Sequence, residues 1–310
     1  MTEPQTQTTE PQIQFRSGFV TLVGRPNSGK STLINAVIGK KVAITSNTPQ
    51  TTRHRFRAVL DTDDFQLVLV DTPGLHKPID ALGEELNHST IKALESVDVI
   101  AMLVDVSKRL GKGDIWIMQM IKNIPAKKVL VISKTDLAQG DQIDNQIAAA
   151  RQQMDWDDVV VLSAVSGFNI DGFVSTVTKY LPEGPRWFPS GTTTDQPLGV
   201  IVAEFIREKI LLSTFDEVPH AVGVQVDELE YDAKRKIYSI YATIYVERDS
   251  QKGIIIGKKG DHIKAIGTQA RLDLAHFLAD RVYLDLRVKV RKGWRKDASQ
   301  IRRFGYGEGL

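Results

Sequence analysis

The feature that most constrains this chain is a glycine-rich segment, Gly24–Ser31, set between an apolar run and an amphipathic stretch. The segment fits the pattern G-x4-G-K-[ST]; it follows the strand-like run Phe19–Val23 and opens the helix-like stretch Thr32–Ile38. In such a strand–loop–helix unit, the glycines let backbone N–H groups surround phosphate oxygens at a helix N-terminus. An ordinary glycine-rich turn would not need to lie between a strand and a helix. The sequence therefore predicts a phosphate-binding loop.

Further apolar runs, separated by amphipathic stretches, continue beyond this loop. They are nearly continuous and rich in β-branched residues, which is typical of strands buried on both faces. The predicted strands are Phe19–Val23, Phe65–Val70, Val99–Val104, Val129–Ile132 and Val159–Leu162. The stretches Asp114–Lys122 and Asp141–Arg151 have the pattern of helices. This alternation predicts an α/β domain with a mostly parallel sheet, in which ligands bind beyond the carboxyl ends of the strands.

The α/β pattern ends near Leu181, and a chain of 310 residues is long enough for two domains. We predict a disordered tail over 1–16, a nucleotide domain over 17–181, a Pro- and Gly-rich linker over 182–199 and a smaller α+β domain over 200–310. The elements expected in the second domain are a helix at Ala203–Leu212, strands near Ala221–Leu229, Ile237–Val246 and Val282–Val290, and a helix–loop–helix around Gly257–Gly260.

Composition excludes several classes of function. The chain has no cysteine, which rules out disulfide frameworks, thiolate zinc sites, iron–sulfur clusters and cysteine nucleophiles. Its 6 histidines show no metal-ligand spacing. No apolar run approaches the roughly 18 residues of a membrane span, and the polar N-terminus does not have the pattern of a signal peptide. We therefore expect a cytoplasmic protein.

Charge is distributed unevenly along the chain. The formal net charge is +2, but the last sixty residues carry 14 basic and 6 acidic side chains, a net charge of +8. A basic stretch by itself is more often a solvated face. Together with a suitable motif, it would indicate a polyanionic partner.

The predicted phosphate site combines the loop with two later segments. Lys30 is placed to reach the β- and γ-phosphates and Ser31 to ligate Mg²⁺. Asp71 follows the apolar run Phe65–Val70, and a carboxylate at the end of that strand can hold Mg²⁺ through a water molecule. Gly74 leaves its backbone N–H free to meet the γ-phosphate. Of Thr51 and Thr52, we prefer Thr52 as the residue that closes over the γ-phosphate and Mg²⁺. The candidate catalytic residues are Lys30, Asn27, Thr52 and Gly74, the metal ligands Ser31, Thr52 and Asp71, and the other phosphate-site residues Gly24, Arg25, Pro26, Ser28, Gly29, Thr32, Thr72 and Pro73.

The base is predicted to bind after the next strands. Asp136, in the segment Ser133-Lys134-Thr135-Asp136, can accept two hydrogen bonds from guanine, whereas adenine offers no such pair of donors. Lys134 would lie along the base. The backbone N–H within Ser163-Ala164 could meet guanine O6.

In this order, the elements resemble the GTP-binding domain of translation-factor-type GTPases and most closely the Era family. The likeness is carried by Gly24–Thr32, by Pro49–Arg55 and by Asp71–Gly74. The family normally has asparagine where this chain has Ser133, and that side chain ties the base loop to the phosphate loop. Serine is shorter and keeps at most one such hydrogen bond, so either guanine affinity is reduced or the substitution is tolerated.

Hydrolysis is expected to be slow. Leu75 stands where many GTPases have a glutamine that orients the attacking water, and an aliphatic side chain cannot do this. Catalysis would then rest on Lys30, Mg²⁺ and backbone N–H groups. The resemblance implies that Asn27 can support K⁺ as an additional positive charge, while a plain turn residue is the alternative.

The basic end contains the pattern I-I-I-G-x-x-G at Ile254–Gly260, between two helical stretches. Its glycines let a nucleic-acid backbone approach while Lys258 and Lys259 neutralise phosphates; a KH module clamps about four nucleotides of single-stranded RNA in this way. Trp294 is a candidate for stacking on a base, or equally for core filling. The remaining candidate RNA contacts are Ile254 and Ile255, which otherwise belong to the core, with Gly257, Gly260, Lys264 and Arg291.

The resemblance to the Era family extends to this half through Ile206–Ile210 and Glu247–Gly253. It implies a KH domain that binds near the 3′ end of small-subunit (16S) ribosomal RNA, assembly of the 30S subunit, and peripheral membrane association, for which we find no amphipathic anchor. We expect a monomeric switch in which GTP orders residues 45–55 and 71–77, with GDP as the product. An RNA-binding protein with a structural nucleotide domain and an ATPase are the alternatives; the intact nucleotide motifs argue against both.

Overall fold

A six-stranded sheet organises the first half of the chain. The computed structural model describes residues 14–46, 48, 51–75, 81–304 and 306, so residues 1–13 of the predicted tail lie outside it. The strands are β1 (Arg16–Val23), β2 (Phe56–Asp61), β3 (Phe65–Asp71), β4 (Val99–Asp105), β5 (Lys127–Ser133) and β6 (Asp158–Val161). Their order in the sheet is β2-β3-β1-β4-β5-β6, and all neighbours pair in parallel except β2 with β3. The mostly parallel sheet is confirmed, with an antiparallel edge strand that we did not predict.

Both faces of this sheet are buried, which explains why its strands are nearly continuous in apolar residues. The α-helices in the described part of this domain are α1 (Lys30–Ile38), α2 (Ala81–Leu94), α3 (Lys112–Ile121), α4 (Gln142–Arg151) and α5 (Ile170–Thr178). In β4, for example, Val99 and Leu103 enter the core formed with α1 and α5, whereas Ile100 and Met102 enter the core formed with α3 and α4.

The predicted linker has no helix or strand of its own over residues 182–197, but it is docked along the first domain. Its Thr193 carbonyl accepts from the Val59 N–H at 3.0 Å, and the Asp195 N–H donates to the Arg57 carbonyl at 3.2 Å. These bonds cover the open edge of β2, which would otherwise leave unpaired backbone groups.

The second domain is built on a three-stranded sheet in the order β7-β8-β9. Strands β7 and β8 are antiparallel, and β8 and β9 are parallel. Its elements are α6 (Leu198–Ser213), α7 (Val218–Ala221), β7 (Gly223–Asp232), β8 (Ile237–Val246), α8 (Asp249–Ile256), α9 (Asp261–Leu278), β9 (Arg281–Val290) and α10 (Ala298–Arg303). Helices α6, α8 and α9 bury their apolar residues against the sheet in a single core. The observed succession includes every element predicted for this domain, and α6 begins at Leu198, two residues before the expected boundary.

Candidate functional site

The glycine-rich loop occupies the carboxyl end of β1 and leads into α1, as predicted. Gly24 has φ +154° and Gly29 has φ +98°, the range in which glycine is favoured. A Cβ at Gly24 would lie 2.7 Å from the carbonyl oxygen of Leu103 and 2.7 Å from Ser28 Oγ, so no other residue fits there. The loop is therefore fixed in shape by its close approach to β4.

Lys30 lies buried inside this loop, with 6% of its surface exposed. Its Nζ donates to the carbonyl oxygens of Gly24 at 3.3 Å and Arg25 at 3.2 Å. Burial lowers the pKa of Lys30 to about 8, although the nearby Asp71 carboxylate acts in the opposite direction. A buried ammonium held by neutral carbonyls is suited to an anionic ligand, because phosphate oxygens would restore the charge balance.

Three oxygen-bearing side chains meet beside Lys30. Ser31 Oγ lies 2.9 Å from Thr52 Oγ1 and donates to Asp71 Oδ2 at 3.1 Å, and Thr52 Oγ1 donates to the same oxygen at 3.2 Å. Burial raises the pKa of Asp71 to about 6, although Lys30 and the two hydroxyls lower it.

The second carboxylate oxygen of Asp71, Oδ1, is buried and has no hydrogen-bond partner among the residues that the structure describes. A buried carboxylate and two hydroxyls are hard oxygen donors of the kind that Mg²⁺ prefers. Ser31, Thr52 and Asp71 therefore fit Mg²⁺, and they are the residues that would hold it.

The segment after Asp71 closes the phosphate end. Thr72 is anchored by a hydrogen bond of 3.0 Å to the Leu22 carbonyl. A Cβ at Gly74 would lie 3.0 Å from backbone atoms of Pro26 and 3.3 Å from Lys30 Nζ, which places this backbone against the phosphate loop. Leu75 is buried in the core formed with α3, so its side chain points away from the nucleotide site.

Two cavities together form the pocket. One is lined by the phosphate loop, by Thr51 and Thr52 and by Gly74. The other is lined by Ser133, Lys134, Asp136 and Ala164. Both are lined by Asn27, Gly29, Thr32, Thr45 and Ser46. The phosphate end and the base end are thus parts of one elongated site.

The base end is ordered by side-chain contacts. Lys134 adopts a left-handed conformation and pairs with Asp105 at 2.8 Å; burial opposes ionisation of Asp105, but the hydrogen bonds from Lys134 and Ser107 lower its pKa. Asp136 accepts a hydrogen bond from Ser163 Oγ at 2.5 Å. This leaves the Asp136 carboxylate at the mouth of the pocket, where it can accept hydrogen bonds from a base.

Ser133 retains a tie between the base loop and the phosphate loop. Its hydroxyl lies 2.8 Å from the Ser28 carbonyl and 3.1 Å from the Val104 carbonyl, and a single proton can serve either acceptor. The serine therefore keeps one hydrogen bond, the most that we expected of it.

Several residues that line the pocket were not predicted from the sequence. Ile44 lines the phosphate end, and Leu212 of α6 lines the base end although it belongs to the second domain. No local pattern identifies Leu212, because its place depends on how the domains dock. Arg25, predicted to bind the nucleotide, pairs with Asp114 of α3 at 3.3 Å at the outer side of the loop.

The predicted RNA loop joins α8 to α9. Gly257 has φ +73° and Gly260 φ +83°, and a Cβ at Gly257 would lie 2.6 Å from the Cβ of His262. Lys258, Lys259 and Lys264 are exposed. The loop thus presents its ammonium groups to solvent, and its turn at Gly257 has no room for a larger residue.

The remaining candidates for RNA contact differ in how exposed their side chains are. Ile254 is half-exposed, whereas Ile255 belongs to the core of the second domain. Trp294 is 0% exposed, and its indole N–H donates to the Ala221 carbonyl at 2.9 Å. Of the two interpretations of Trp294, the structure supports packing and not base stacking. The Arg291 guanidinium lies 5.3 Å from the centre of the Tyr245 ring.

The described part of the chain contains no group of three or more His, Cys, Asp or Glu residues able to hold a metal ion. No helix within it is long and apolar enough to cross a membrane.

The fold and the two sites define a GTPase domain of the phosphate-loop type followed by a KH-type domain. Residues 19–134 match a family described as a 50S ribosome-binding GTPase, and residues 217–295 match the KH domain family.

Two solved structures extend this likeness across both domains, over 94% of the chain. A variant of the Aquifex aeolicus Era protein bound to GDP and aluminium fluoride has 37% sequence identity and a TM-score of 0.91, covering 94% of this chain and 99% of that chain. An Era protein in complex with MgGDPNP and nucleotides 1506–1542 of 16S ribosomal RNA has 37% identity and a TM-score of 0.89 over the same shares. The chain therefore belongs to the Era family.

Proposed function

We propose that this protein binds GTP with Mg²⁺, hydrolyses it slowly, and uses the bound nucleotide to control its grip on the 3′ end of 16S ribosomal RNA during assembly of the 30S subunit. The observation that carries this proposal is the convergence of Lys30, Ser31, Thr52 and Asp71 at one end of an elongated pocket with Asp136 at the other. We expect a cytoplasmic monomer.

The phosphate end supplies binding and charge stabilisation. Lys30 would contact the β- and γ-phosphates, and the backbone N–H of Gly74 would meet the γ-phosphate. Mg²⁺ held by Ser31, Thr52 and Asp71 would neutralise the charge that develops on the phosphate oxygens. An Era protein has been solved with MgGDPNP, which supports the assignment of this metal.

The rate of hydrolysis is limited by the absence of a water-orienting side chain at Leu75, which is fixed in the core. Asn27 lines both cavities, which supports the proposal that it holds K⁺ beside the phosphates. We therefore expect faster GTP turnover in potassium than in sodium, at equal ionic strength. Equal turnover in the two salts would remove K⁺ from the mechanism.

The RNA end is proposed to bind single-stranded RNA across Gly257–Gly260. Exposed Lys258 and Lys259 would neutralise phosphates, while half-exposed Ile254 offers an apolar surface to a base. The RNA is proposed from the Era protein solved with nucleotides 1506–1542 of 16S ribosomal RNA.

The decisive experiment measures the affinity for a GTP analogue with and without a single-stranded fragment of the 16S RNA 3′ end. We expect GTP binding that ATP cannot compete for, and RNA binding that changes with the nucleotide. Equal affinity for ATP and GTP, or failure to bind either nucleotide, would contradict the proposed function. An RNA affinity that is the same with every nucleotide would leave only a GTPase and a separate RNA-binding module.

A further inference from the structure

A cluster of buried charged side chains lies between the two domains, outside the nucleotide pocket. Arg53 and His54 come from the segment before β2, and Glu204 and Arg207 come from α6. Arg207 is 0% exposed and Arg53 is 1% exposed, so neither guanidinium is solvated. Burying charge is unfavourable unless the group is paired, and none of these residues has a place in the nucleotide site described above.

Arg207 connects α6 to the residue immediately before Thr52. Its Nη2 donates to the carbonyl oxygen of Thr51, while Glu204 accepts from its Nε at 2.8 Å and from Nη2 at 2.5 Å. Burial favours the neutral form of Glu204, but the charge and hydrogen bonds of Arg207 outweigh it and hold the pKa of Glu204 below its usual range. Arg207 is therefore an oriented, charged donor aimed at the backbone beside Thr52.

Arg53 makes the corresponding connection on the other side of Thr52. Its guanidinium reaches into the second domain and donates to the Val222 carbonyl at 2.6 Å. The same group lies 5.8 Å from the ring centre of Trp294 and 5.4 Å from that of Tyr306. The residues before and after Thr52 are thus both held by the second domain.

Trp294 and Tyr306, the two rings beside Arg53, also lie close to the other chain segment that borders the phosphates. Trp294 and Tyr306 share an apolar cluster with Leu82 and Leu86 of α2, the first described helix after Gly74. Both chain segments that border the γ-phosphate position therefore meet one surface of the second domain. A change in how the second domain docks would therefore alter the positions of both segments.

We propose that Arg53 and Arg207 are positioning residues for Thr52, and that the docked second domain uses them to hold the Thr52 hydroxyl beside Ser31 and Asp71, where Mg²⁺ binds with GTP. This inference rests on the proposed function. Because coupling between two sites is reciprocal, Mg·GTP strengthens domain docking by the same factor by which docking strengthens Mg·GTP binding. GDP lacks the γ-phosphate that orders this kind of segment, so its binding is independent of the two arginines.

The test uses variants that weaken the connection without leaving an uncompensated buried charge. Arg207→Lys keeps a cation beside Glu204, but an ammonium cannot reproduce the planar fork that reaches both partners of the arginine. Arg53→Lys loses the fork and the stacking in the same way. Arg57→Lys is the matched control, because Arg57 lies nearby on β2 and pairs with Asp195 of the linker at 3.1 Å.

Mg²⁺ is titrated into each protein in the presence of a fluorescent non-hydrolysable GTP analogue and, separately, fluorescent GDP. We expect Arg207→Lys and Arg53→Lys to raise the half-saturating Mg²⁺ concentration for the GTP analogue by about 10-fold and to leave GDP binding unchanged, with no effect of Arg57→Lys on either. A general loss of structure would weaken the binding of both nucleotides alike. Equal Mg²⁺ requirements in the wild type and the two variants would overturn the inference, whereas a wild type that fails to bind GTP would overturn the proposed function.

A second measurement follows docking itself. Since the chain has no cysteine, Asp144→Cys in α4 and Glu228→Cys in β7 provide two exposed attachment points for a dye pair. We expect energy transfer in the otherwise unaltered protein to differ between Mg·GTP analogue and GDP, and this difference to shrink when Arg207→Lys is added. A dye distance that is the same with both nucleotides would contradict the reciprocal coupling.

Discussion

The two ends of this protein are both built around lysines and glycines, but they expose their charges in opposite ways. Lys30 is buried within its loop, whereas Lys258 and Lys259 project into solvent from theirs. A buried cation interacts strongly, because little water screens it, and it demands one geometry from its ligand. An exposed cation interacts weakly, tolerates many geometries and is screened by salt.

This difference explains how one chain can bind both a small, specific ligand and a long, flexible one. A nucleoside triphosphate is small and is met by fixed groups at both ends of one elongated pocket. A nucleic-acid strand is long and flexible, so its affinity comes largely from several screened phosphate contacts. Removing one lysine should therefore have very different consequences at the two ends.

The largest effect is expected for Lys30→Ala. The substitution removes a buried ammonium that would make charge-assisted hydrogen bonds to two phosphates, so GTP affinity should fall by at least about 100-fold. Fluorescent-nucleotide titration measures this fall. Lys40→Ala is the control, because Lys40 is exposed at the end of the same helical segment and should leave affinity unchanged. A loss of less than about fivefold for Lys30→Ala would refute the buried-cation account.

A somewhat smaller effect is expected for Asp136→Asn. The amide cannot accept hydrogen bonds from both N1–H and the 2-amino group of guanine, so GTP affinity should fall by about 30- to 100-fold. An asparagine can instead donate to the 2-oxygen of xanthine while accepting from its N1–H, so xanthosine triphosphate should bind more tightly than to the wild type. Competition titration with the two nucleotides measures the exchange. Unchanged selectivity would show that Asp136 does not contact the base.

Much of the nucleotide pocket could be predicted because many of its residues form contiguous motifs at the ends of strands with both faces buried. The run Val99–Val104 predicted β4 in this way. Strand β2 was missed because it is short, Arg57 interrupts its apolar residues, and it lies at the edge of the sheet, where the linker covers it. The position of Leu75 in the core likewise required the structure.

The surface between the domains could not be predicted, because its members are far apart in the sequence and each has an ordinary local pattern. Arg207 lies in a helical stretch rich in charge, which is typical of a solvated face, yet its side chain is fully buried. Trp294 lies among basic residues, which favoured a role in RNA stacking as much as one in packing. Tertiary contacts decide both cases.

At the exposed end, a smaller effect is expected for the double substitution Lys258→Ala and Lys259→Ala. Loss of two screened contacts should weaken binding of the 16S RNA 3′ fragment by about 10-fold and reduce the salt slope by about 1 to 1.5, with nucleotide affinity unchanged. Fluorescence anisotropy across a salt series measures both quantities. The control removes two exposed charges from the turn between β7 and β8, as Lys234→Ala with Arg235→Ala. An unchanged slope would mean that the G-x-x-G loop does not bind phosphates.

The smallest effect is expected for Ser133→Asn, which returns to the buried end. Ser133 donates one hydrogen bond towards the phosphate loop, while an asparagine amide offers a second donor and an acceptor at the same strand end. One additional hydrogen bond of about 1 kcal/mol would slow nucleotide dissociation about fivefold. Stopped-flow release of fluorescent GDP measures the rate, and thermal unfolding of the nucleotide-free protein checks that the larger side chain is accommodated. Faster release from a stably folded variant would show that the buried end is already fitted to serine, so that its geometry and not its number of hydrogen bonds limits affinity.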